Sequence, residues 1–295
     1  MTTSVLRDKL DRGEFVLAPG LHDMISAVIA NKIGFEFVYA SGYWMTASCY
    51  GLPDAGIVTY TQMLDRVSTL VRSVNAAVIA DADTGYGGLL NVDYTVRGYE
   101  AAGVSGIQIE DQEFPKKCGH TPYRRCILLA DMVDKVKVAC AARSDPRGMA
   151  IIARTDARQG EGFDAALRRA DAYAEAGADV IFIEALESED EMRRACARIG
   201  KPMIANMADG GRTPIRSAAE LRSIGYAMAI FPAMTGLAAA AAVERALLGL
   251  KATGTSAGSG ADLFNFGEFC RLIGFEKIWE FERRWAPRER SDTDR

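Results

Sequence analysis

Short apolar segments recur along the chain, and four of them directly follow a glycine. These segments span residues 35–40, 104–109, 178–183 and 226–231, after Gly34, Gly103, Gly177 and Gly225. Glycine is favoured in the left-handed conformation just past the end of a helix. Nearly continuous apolar segments with β-branched residues are typical of parallel strands that are covered on both faces. The pattern therefore predicts, at each glycine, the end of a helix and the start of a parallel strand.

Four further apolar segments complete a set of eight predicted strands. They are Phe15–Ala18, Ala77–Ala80, Ala150–Ala153 and Pro202–Ala205. Between the strands, apolar residues recur at helical spacing. Eight strand–helix alternations without a dinucleotide-binding or Walker glycine loop favour a (β/α)8 TIM barrel over an open doubly wound sheet. We therefore predict an α/β protein with a barrel at residues 1–253.

The residues after the barrel differ from it in composition. A glycine- and serine-rich stretch predicts a linker at 254–262, and an amphipathic stretch predicts a helical segment at 263–286. The polar residues 287–295 predict a disordered tail. One barrel followed by a separate helical segment is therefore expected.

Charge and composition narrow the classes of function. A formal net charge of −4 over 295 residues, without a basic stretch containing aromatic residues, argues against a nucleic-acid surface. No apolar stretch reaches the ~18 residues that a membrane span needs, and the polar start of the sequence does not resemble a signal peptide. The six cysteines are scattered without a CxxC pair, which is typical of reduced thiols. We expect a cytoplasmic protein that binds neither nucleic acid nor a membrane.

Polar residues stand where the predicted strands end, which is the catalytic edge of such barrels. Asp81 and Asp83 end the third strand, where alternation would place them on one face, and Glu110 ends the fourth. Hard oxygen ligands without a nearby histidine or cysteine pair suit Mg2+ or Mn2+ better than Zn2+. These carboxylates predict a metal site; the alternative is that one of them caps a helix.

Cys118 lies in a loop after the fourth strand, between Lys116 and Lys117 on one side and Gly119 and His120 on the other. Cationic neighbours lower the pKa of a thiol and make it usable in proton transfer. We predict that Cys118 is a catalytic acid/base. The alternative is an ordinary loop cysteine, which is the role we expect for the other cysteines.

Arg154 follows a buried strand, where a guanidinium is well suited to bidentate binding of a carboxylate. The alternative for Arg154 is an ion pair with Asp156 or with a metal-site carboxylate. Glu184 ends the sixth strand and Asn206 the seventh. Glu184 is predicted either to face the pocket or to hold Arg154 in place.

Six motifs together resemble one enzyme group. They are SGYWMTAS at 41–48, GLPDAG at 51–56, DADTGYGG at 81–88, IEDQEFPKKCGH at 109–120, ARTDAR at 153–158 and ANMADGGRTP at 205–214. Over nearly its whole length the chain resembles the isocitrate lyase and phosphoenolpyruvate mutase superfamily. The resemblance is to the short branch, with methylisocitrate, 2,3-dimethylmalate and 2-alkylmalate lyases, oxaloacetate hydrolases and phosphorus–carbon mutases.

This resemblance implies a metal and a substrate pocket. It implies that Asp83 binds Mg2+, while Asp81 and Glu110 help through metal-bound water. A pyruvate-like carboxylate would be bound by hydroxyl and backbone groups and by Arg154. The substrate-binding residues implied are Ser41, Gly42, Tyr43, Gly119, Glu184 and Asn206.

The resemblance also implies the chemistry and the assembly. A 2-hydroxy dicarboxylate would be cleaved to a 2-oxo acid and an enediolate, which Cys118 would protonate. The catalytic residues implied are Cys118, Arg154, Lys116 and His120. Closure of the loop would keep water from the enediolate. The C-terminal helices would be exchanged between paired subunits of a homotetramer.

Ala208 bears on the choice of substrate. Methylisocitrate and isocitrate lyases usually have threonine or serine at this position, to hold a further carboxylate. Tyr43 and Trp44 replace the glycine-rich turn of methylisocitrate lyases, and they resemble the alkylmalate lyases. We therefore favour a malate with small alkyl groups, such as 2,3-dimethylmalate. Methylisocitrate stays an alternative, because Arg212 could supply the missing countercharge. A phosphorus–carbon mutase, an oxaloacetate hydrolase and a non-catalytic barrel are further alternatives.

Overall fold

The computed structural model describes residues 3–119, 121, 124–257 and 260–286. Its strands are β1 (Val16–Leu21), β2 (Phe37–Ala40), β3 (Ala77–Asp81), β4 (Gly106–Glu110), β5 (Ala150–Thr155), β6 (Val180–Ile183), β7 (Ile204–Asn206) and β8 (Met228–Phe231). The helices are α1 (Val5–Asp11), α2 (Met24–Ile33), α3 (Gly42–Tyr50), α4 (Tyr60–Ser73), α5 (Leu89–Ala101), α6 (Leu129–Ala142), α7 (Ala157–Gly160), α8 (Phe163–Glu175), α9 (Glu189–Arg198), α10 (Ala218–Ile224), α11 (Met234–Thr253), α12 (Phe266–Leu272) and α13 (Phe275–Trp285).

The strands form one parallel sheet that closes on itself. From β1 to β6 each strand pairs with the next, β7 pairs with β8, and β8 pairs with β1. Between β6 and β7, the described residues form one isolated parallel bridge, from Ile181 to Met203. Helices lie between successive strands. The predicted (β/α)8 TIM barrel is confirmed.

Two buried apolar clusters alternate along the strands. One contains residues such as Phe37, Ile152 and Met228, together with Leu6 of α1. The other contains the alternate strand residues, such as Val38, and the buried faces of the helices. The strands are buried at nearly every position, so they are largely apolar, and their polar residues stand mostly at the carboxyl ends.

The glycines of the repeat have the conformation that their positions require. Gly34, Gly103, Gly177 and Gly225 all have a positive φ, between 88° and 118°. Gly34 and Gly225 are the C-caps of α2 and α10. In each case the strand starts three residues after the glycine, and not directly after it as the apolar segments suggest.

The chain divides into two compact units, one ending at Ala238 and the other starting at Ala239. The second unit contains α12 and α13, in which no described residue is buried. Residues 258–259 of the predicted linker and the predicted tail at 287–295 lie outside the described residues, so the limits of the barrel, linker and tail stay predictions. No helix within the described ranges is long and apolar enough to cross a membrane.

Candidate active site

The carboxyl ends of the strands surround one cavity of about 320 Å³. The predicted site residues that line it are Ser41, Tyr43, Asp81, Glu110, Lys116, Cys118, Gly119, Arg154, Glu184 and Asn206. Two others lie beside it, since Asp83 pairs with Lys116 and the Gly42 backbone lies against the Asp81 carboxylate. His120 lies outside the described residues. The fold therefore brings the described members of the predicted site together.

Lys116 lies among the predicted metal-site carboxylates. Its Nζ is 2.5 Å from Asp54 Oδ1 and 2.7 Å from Asp83 Oδ1, and Lys116 is only 2% exposed. Burial raises the pKa of Asp83 to about 7, although Lys116 opposes this change. Burial also raises the pKa of Asp81. The single ammonium group of Lys116 does not compensate the negative charges of the buried carboxylates around it. The cluster therefore favours binding of a further cation.

Glu110 has a buried oxygen without a partner. Its Oε1 accepts no hydrogen bond from the described residues, and burial raises the pKa of Glu110 well above its usual value. No three Asp, Glu, His or Cys side chains of the described residues form a group that could hold a metal ion. Mg2+ usually keeps several waters and binds through one or two carboxylates. The carboxylate oxygens of the site are therefore of the kind that suits a hydrated Mg2+ or Mn2+.

Arg154 is held in a defined orientation by Asp156. Arg154 Nε and Nη2 each lie 2.9 Å from one Asp156 oxygen, so the pair is bidentate. Glu184 Oε2 lies 3.2 Å from Nη2, and Glu110 Oε2 lies 3.4 Å from Nε. Burial opposes the charge of Arg154, but the surrounding carboxylates raise its pKa above the usual value. The alternative ion pair with Asp156 is thus present, and Arg154 still lines the cavity.

Glu184 and Asn206 connect the ends of β6 and β7. Asn206 Nδ2 donates to Glu184 Oε2 at 2.9 Å. Asn206 Oδ1 is buried and accepts no hydrogen bond from the described residues. Both side chains line the cavity, which leaves the amide oxygen as an acceptor for a hydroxyl group of a ligand.

Ser41 and Tyr43 stand at the start of α3. The Ser41 side chain makes no capping hydrogen bond, although Ser41 is the N-cap residue. The first N–H groups of a helix have no partner within the helix, and they favour an anion. The hydroxyl and the helix N-terminus together can bind a carboxylate.

Gly119 brings the loop backbone close to the charged groups. A Cβ atom at this position would lie 2.2 Å from Arg154 Nη2 and 2.9 Å from Glu184 Cγ. The preceding residue, Cys118, is half-buried and lines the cavity. Only a glycine permits this approach of the loop to Arg154.

Two residues of the site were missed by the predictions from sequence. Asp54 lines the cavity and pairs with Lys116, and its only signal was its place in the GLPDAG motif. Asp156 was considered only as an alternative partner of Arg154, whereas its two oxygens fix the guanidinium.

Part of the cavity lining is apolar. It is formed by Tyr43, Trp44, Ala208, Ile230, Pro232, Ala233 and Leu237. Arg212 is not among the described residues that line the cavity; it lies 3.3 Å from Glu187, with 47% of its side chain exposed. Arg212 is therefore not in position to supply the countercharge that methylisocitrate would need.

Residues 6–251 match the protein family described as Phosphoenolpyruvate phosphomutase. The chain is 45% identical to the 2,3-dimethylmalate lyase of Eubacterium barkeri, over 97% of this chain and 98% of that protein. It is 42% identical to a 2-methylisocitrate lyase of Aeropyrum pernix, over 96% of this chain and 89% of that protein.

Solved structures of related enzymes have the same fold as this chain. A crystal structure of 2,3-dimethylmalate lyase superposes with a TM-score of 0.90 at 33% identity, covering 97% of this chain and 96% of that one. A structure of oxaloacetate acetylhydrolase superposes with a TM-score of 0.90 at 29% identity, covering 98% and 99%. The chain therefore belongs to the phosphoenolpyruvate phosphomutase family, and it is a lyase of the phosphoenolpyruvate mutase/isocitrate lyase superfamily.

Proposed function

We propose that the protein cleaves a carbon–carbon bond in a 2-hydroxy dicarboxylate with small alkyl groups, such as 2,3-dimethylmalate. The products would be a 2-oxo acid such as pyruvate and a second carboxylate. The observation that carries this proposal is the composition of the cavity, whose lining combines Arg154 and Cys118 with apolar side chains such as Trp44 and Leu237. Relatives with lyase activity on such compounds support it.

Mg2+, or Mn2+, would be held by Asp83 directly and by Asp81 and Glu110 through water, and it would supply positive charge to the 2-oxygen and the carboxylate of the substrate. Arg154, held by Asp156, would bind that carboxylate through its guanidinium. Pre-oriented donors stabilise charge without a cost of reorganisation during the reaction.

Proton transfer would be the task of Cys118. The 2-hydroxyl group would pass its proton to a basic group of the pocket, and the adjacent carbon–carbon bond would break. The electron pair of that bond would pass to the departing carboxylate fragment, which leaves as an enediolate. The Cys118 thiol would then donate its proton to the carbon of that enediolate. Lys116 and His120 on the same loop are proposed to assist; Lys116 already compensates Asp54 and Asp83.

The apolar part of the cavity lining favours alkyl groups over a third carboxylate. Among the described residues, the cationic side chains that line the cavity are Lys116, Lys117 and Arg154. Ala208 offers no hydroxyl group, and a carboxylate buried without a partner is costly. Methylisocitrate is the second candidate, because relatives with that activity are 42% identical. Phosphorus–carbon chemistry and oxaloacetate hydrolysis are less favoured. A carboxyvinyl-carboxyphosphonate phosphorylmutase is 35% identical, and among solved structures oxaloacetate acetylhydrolase is 29% identical against 33% for 2,3-dimethylmalate lyase.

The test is an assay of 2-oxo acid release with Mg2+ across 2,3-dimethylmalate, methylisocitrate, malate and oxaloacetate. We expect the highest kcat/KM for 2,3-dimethylmalate, complete loss with a chelator and recovery with added Mg2+. Release of no 2-oxo acid from any of the four would reject a lyase that acts on these acids. A preference for methylisocitrate would select the second candidate.

The role of Cys118 has a separate test. Cys118→Ala is expected to lower kcat by about 100-fold or more, because general acid catalysis contributes typically about 10²–10⁴-fold. The exposed Cys49 provides a matched control, and Cys49→Ala is expected to keep wild-type turnover. Full activity of Cys118→Ala would contradict the proposed proton transfer.

We also propose that the protein assembles as a homotetramer in which paired subunits exchange their C-terminal helices. The support is the exposure of large apolar side chains in α12 and α13: Phe266 (80%), Ile278 (52%), Phe281 (63%) and Trp285 (64%). Large exposed apolar side chains that are concentrated in one segment are typical of a protein–protein contact.

A further inference from the structure

Gln112 connects the end of β4 to the loop that carries Cys118. Gln112 is 2% exposed. Its Nε2 donates to the Lys117 carbonyl oxygen at 2.8 Å, and its Oε1 accepts from the Lys117 N–H at 3.0 Å. One buried side chain thus satisfies both backbone polar groups of the residue directly before Cys118.

The residue before Gln112 is bonded to the segment that carries Arg154. Asp111 Oδ1 accepts from the Asp156 N–H at 2.9 Å, and the Asp111 N–H donates to the Arg154 carbonyl oxygen at 3.2 Å. Asp156 in turn holds the Arg154 guanidinium through two hydrogen bonds of 2.9 Å. Gln112 therefore lies between the Cys118 loop, which its side chain holds, and a backbone that is fixed to the Arg154 segment.

The backbone of Gln112 is itself fixed. Gln112 forms an antiparallel bridge with Cys126, and the Glu113 N–H donates to the Arg125 carbonyl oxygen at 2.8 Å. These contacts join the two ends of the loop. The Gln112 side chain thus extends from a firm backbone position into the loop.

We infer that Gln112 is a positioning residue that sets the place of the Cys118 thiol relative to Arg154. The inference rests on the proposed function, in which Arg154 binds the substrate carboxylate and Cys118 donates the proton. A misplacement of about 1 Å can lower a rate by about 100-fold. The paired hydrogen bonds to Lys117 restrain the loop one residue away from the thiol.

The test compares Gln112→Ala and Gln112→Met with a matched control. Gln112→Met keeps the length of the side chain and removes both hydrogen bonds to Lys117. It therefore shows the effect of losing the hydrogen bonds alone, whereas Gln112→Ala also leaves a cavity. Gln62→Ala is the control. The Gln62 side-chain oxygen likewise accepts hydrogen bonds, from the Thr59 N–H at 3.0 Å and the Thr59 hydroxyl at 2.9 Å, but Gln62 does not line the cavity.

We expect kcat to fall about 10- to 100-fold in both Gln112 variants. KM and the affinity for Mg2+ should stay within about threefold of wild type, because the groups that bind the ground state remain. Gln62→Ala should keep the wild-type kcat. Unchanged kcat in Gln112→Met would overturn the inference, and so would an equal loss of Mg2+ affinity, which would indicate general damage to the site.

A second readout does not need turnover. Cys118 is alkylated with iodoacetamide, and the modified peptide is quantified by mass spectrometry, with and without Mg2+ and oxalate. Oxalate serves as a small dicarboxylate probe, and its binding is measured by calorimetry. We expect oxalate to change the alkylation rate of Cys118 in wild type and in Gln62→Ala. In Gln112→Met oxalate should still bind, but its effect on the alkylation rate should be at least about threefold smaller.

The two readouts separate the inference from the proposed function. If wild type releases no 2-oxo acid, the proposed function fails, and the alkylation rates alone decide the role of Gln112. If wild type is active but Gln112→Met shows the wild-type alkylation pattern and kcat, only the inference fails.

Discussion

Gly119 shows how a single hydrogen atom in place of a side chain can determine a site. Its backbone lies against the Arg154 guanidinium and the Glu184 side chain, where a Cβ would be only 2.2 and 2.9 Å away. Contacts this short force either the loop or the arginine to move. At the scale of residues, the site depends on the lack of a side chain at position 119 as much as on the charged groups around it.

We therefore expect Gly119→Ala to lower kcat/KM by about 100-fold, because a small shift of a reacting group is enough for such a loss. Stability should fall by about 1–3 kcal/mol, as is usual for overpacking. Gly200→Ala is the matched control, since a Cβ there meets no atom within 4 Å. Steady-state kinetics and urea unfolding measure both effects, and wild-type kinetics for Gly119→Ala would contradict the close contact.

As the proposed metal ligand, Asp83 is expected to make metal affinity depend on pH. Burial raises its pKa from 3.8 to about 7, so the folded protein without metal keeps a proton that the unfolded chain has lost. Its contribution to stability is therefore present below about pH 4 and is lost as the pH rises through about 7.

Because Mg2+ competes with that proton, its affinity should rise about tenfold between about pH 6 and about pH 8. Calorimetric titration with Mg2+ across this range measures the effect. Asp83→Asn should abolish specific binding, whereas Asp93→Asn, which changes a carboxylate paired with Arg97 on the surface of α5, should leave the pH profile unchanged. A flat profile in wild type would contradict the raised pKa.

At the scale of elements, helix α6 supports the loop that contains Asp83, the proposed metal ligand. Lys135 of α6 is 9% exposed, and its Nζ donates to the Thr84 carbonyl oxygen at 2.8 Å, one residue after Asp83. A buried acceptor that loses its donor costs about 1–3 kcal/mol.

Lys135→Met should therefore lower the free energy of unfolding by about 1–3 kcal/mol and weaken Mg2+ binding. Lys137→Met provides the control on the same helix, because 61% of the Lys137 side chain is exposed. Urea unfolding and calorimetry compare the two variants. Equal stability of both would show that the Thr84 contact has no role.

The eight strands could be predicted because they are buried at nearly every position and are therefore largely apolar. The starts of β3 and β5 agree with the prediction, whereas the four strands that follow a glycine start two residues after their apolar segments begin, since those segments also include the residues between the glycine and the strand. Asp83 shows a second limit: it lies past the end of β3 with a φ of 50°, so a turn and not strand alternation determines its direction. Asp54 could not be assigned from spacing, because its pairing with Lys116 joins two loops that are distant in sequence.

At the scale of the whole molecule, the exposed apolar residues of α13 bear on assembly. An aspartate in place of Ile278 or Phe281, which are 52% and 63% exposed, would place a charge in any contact that covers them, and a buried charge without a partner is costly.

Ile278→Asp and Phe281→Asp are therefore expected to shift the protein from a tetramer to smaller species in sedimentation velocity. Glu280→Gln, which changes an exposed polar residue of the same helix, should keep the wild-type distribution. A monomeric wild type would reject the proposed assembly.

The weak pairing of β6 with β7 has a consequence for motion. Their backbones meet in one bridge, Ile181 to Met203, within the described residues, and at the cavity the two strands are joined by the hydrogen bond from Asn206 to Glu184. The barrel is expected to open most readily between β6 and β7. Amide hydrogens of β7 should therefore exchange with solvent sooner than those of β4 or β5. A ligand that contacts both Glu184 and Asn206 would link the ends of the two strands, and its binding would slow the opening of the whole barrel.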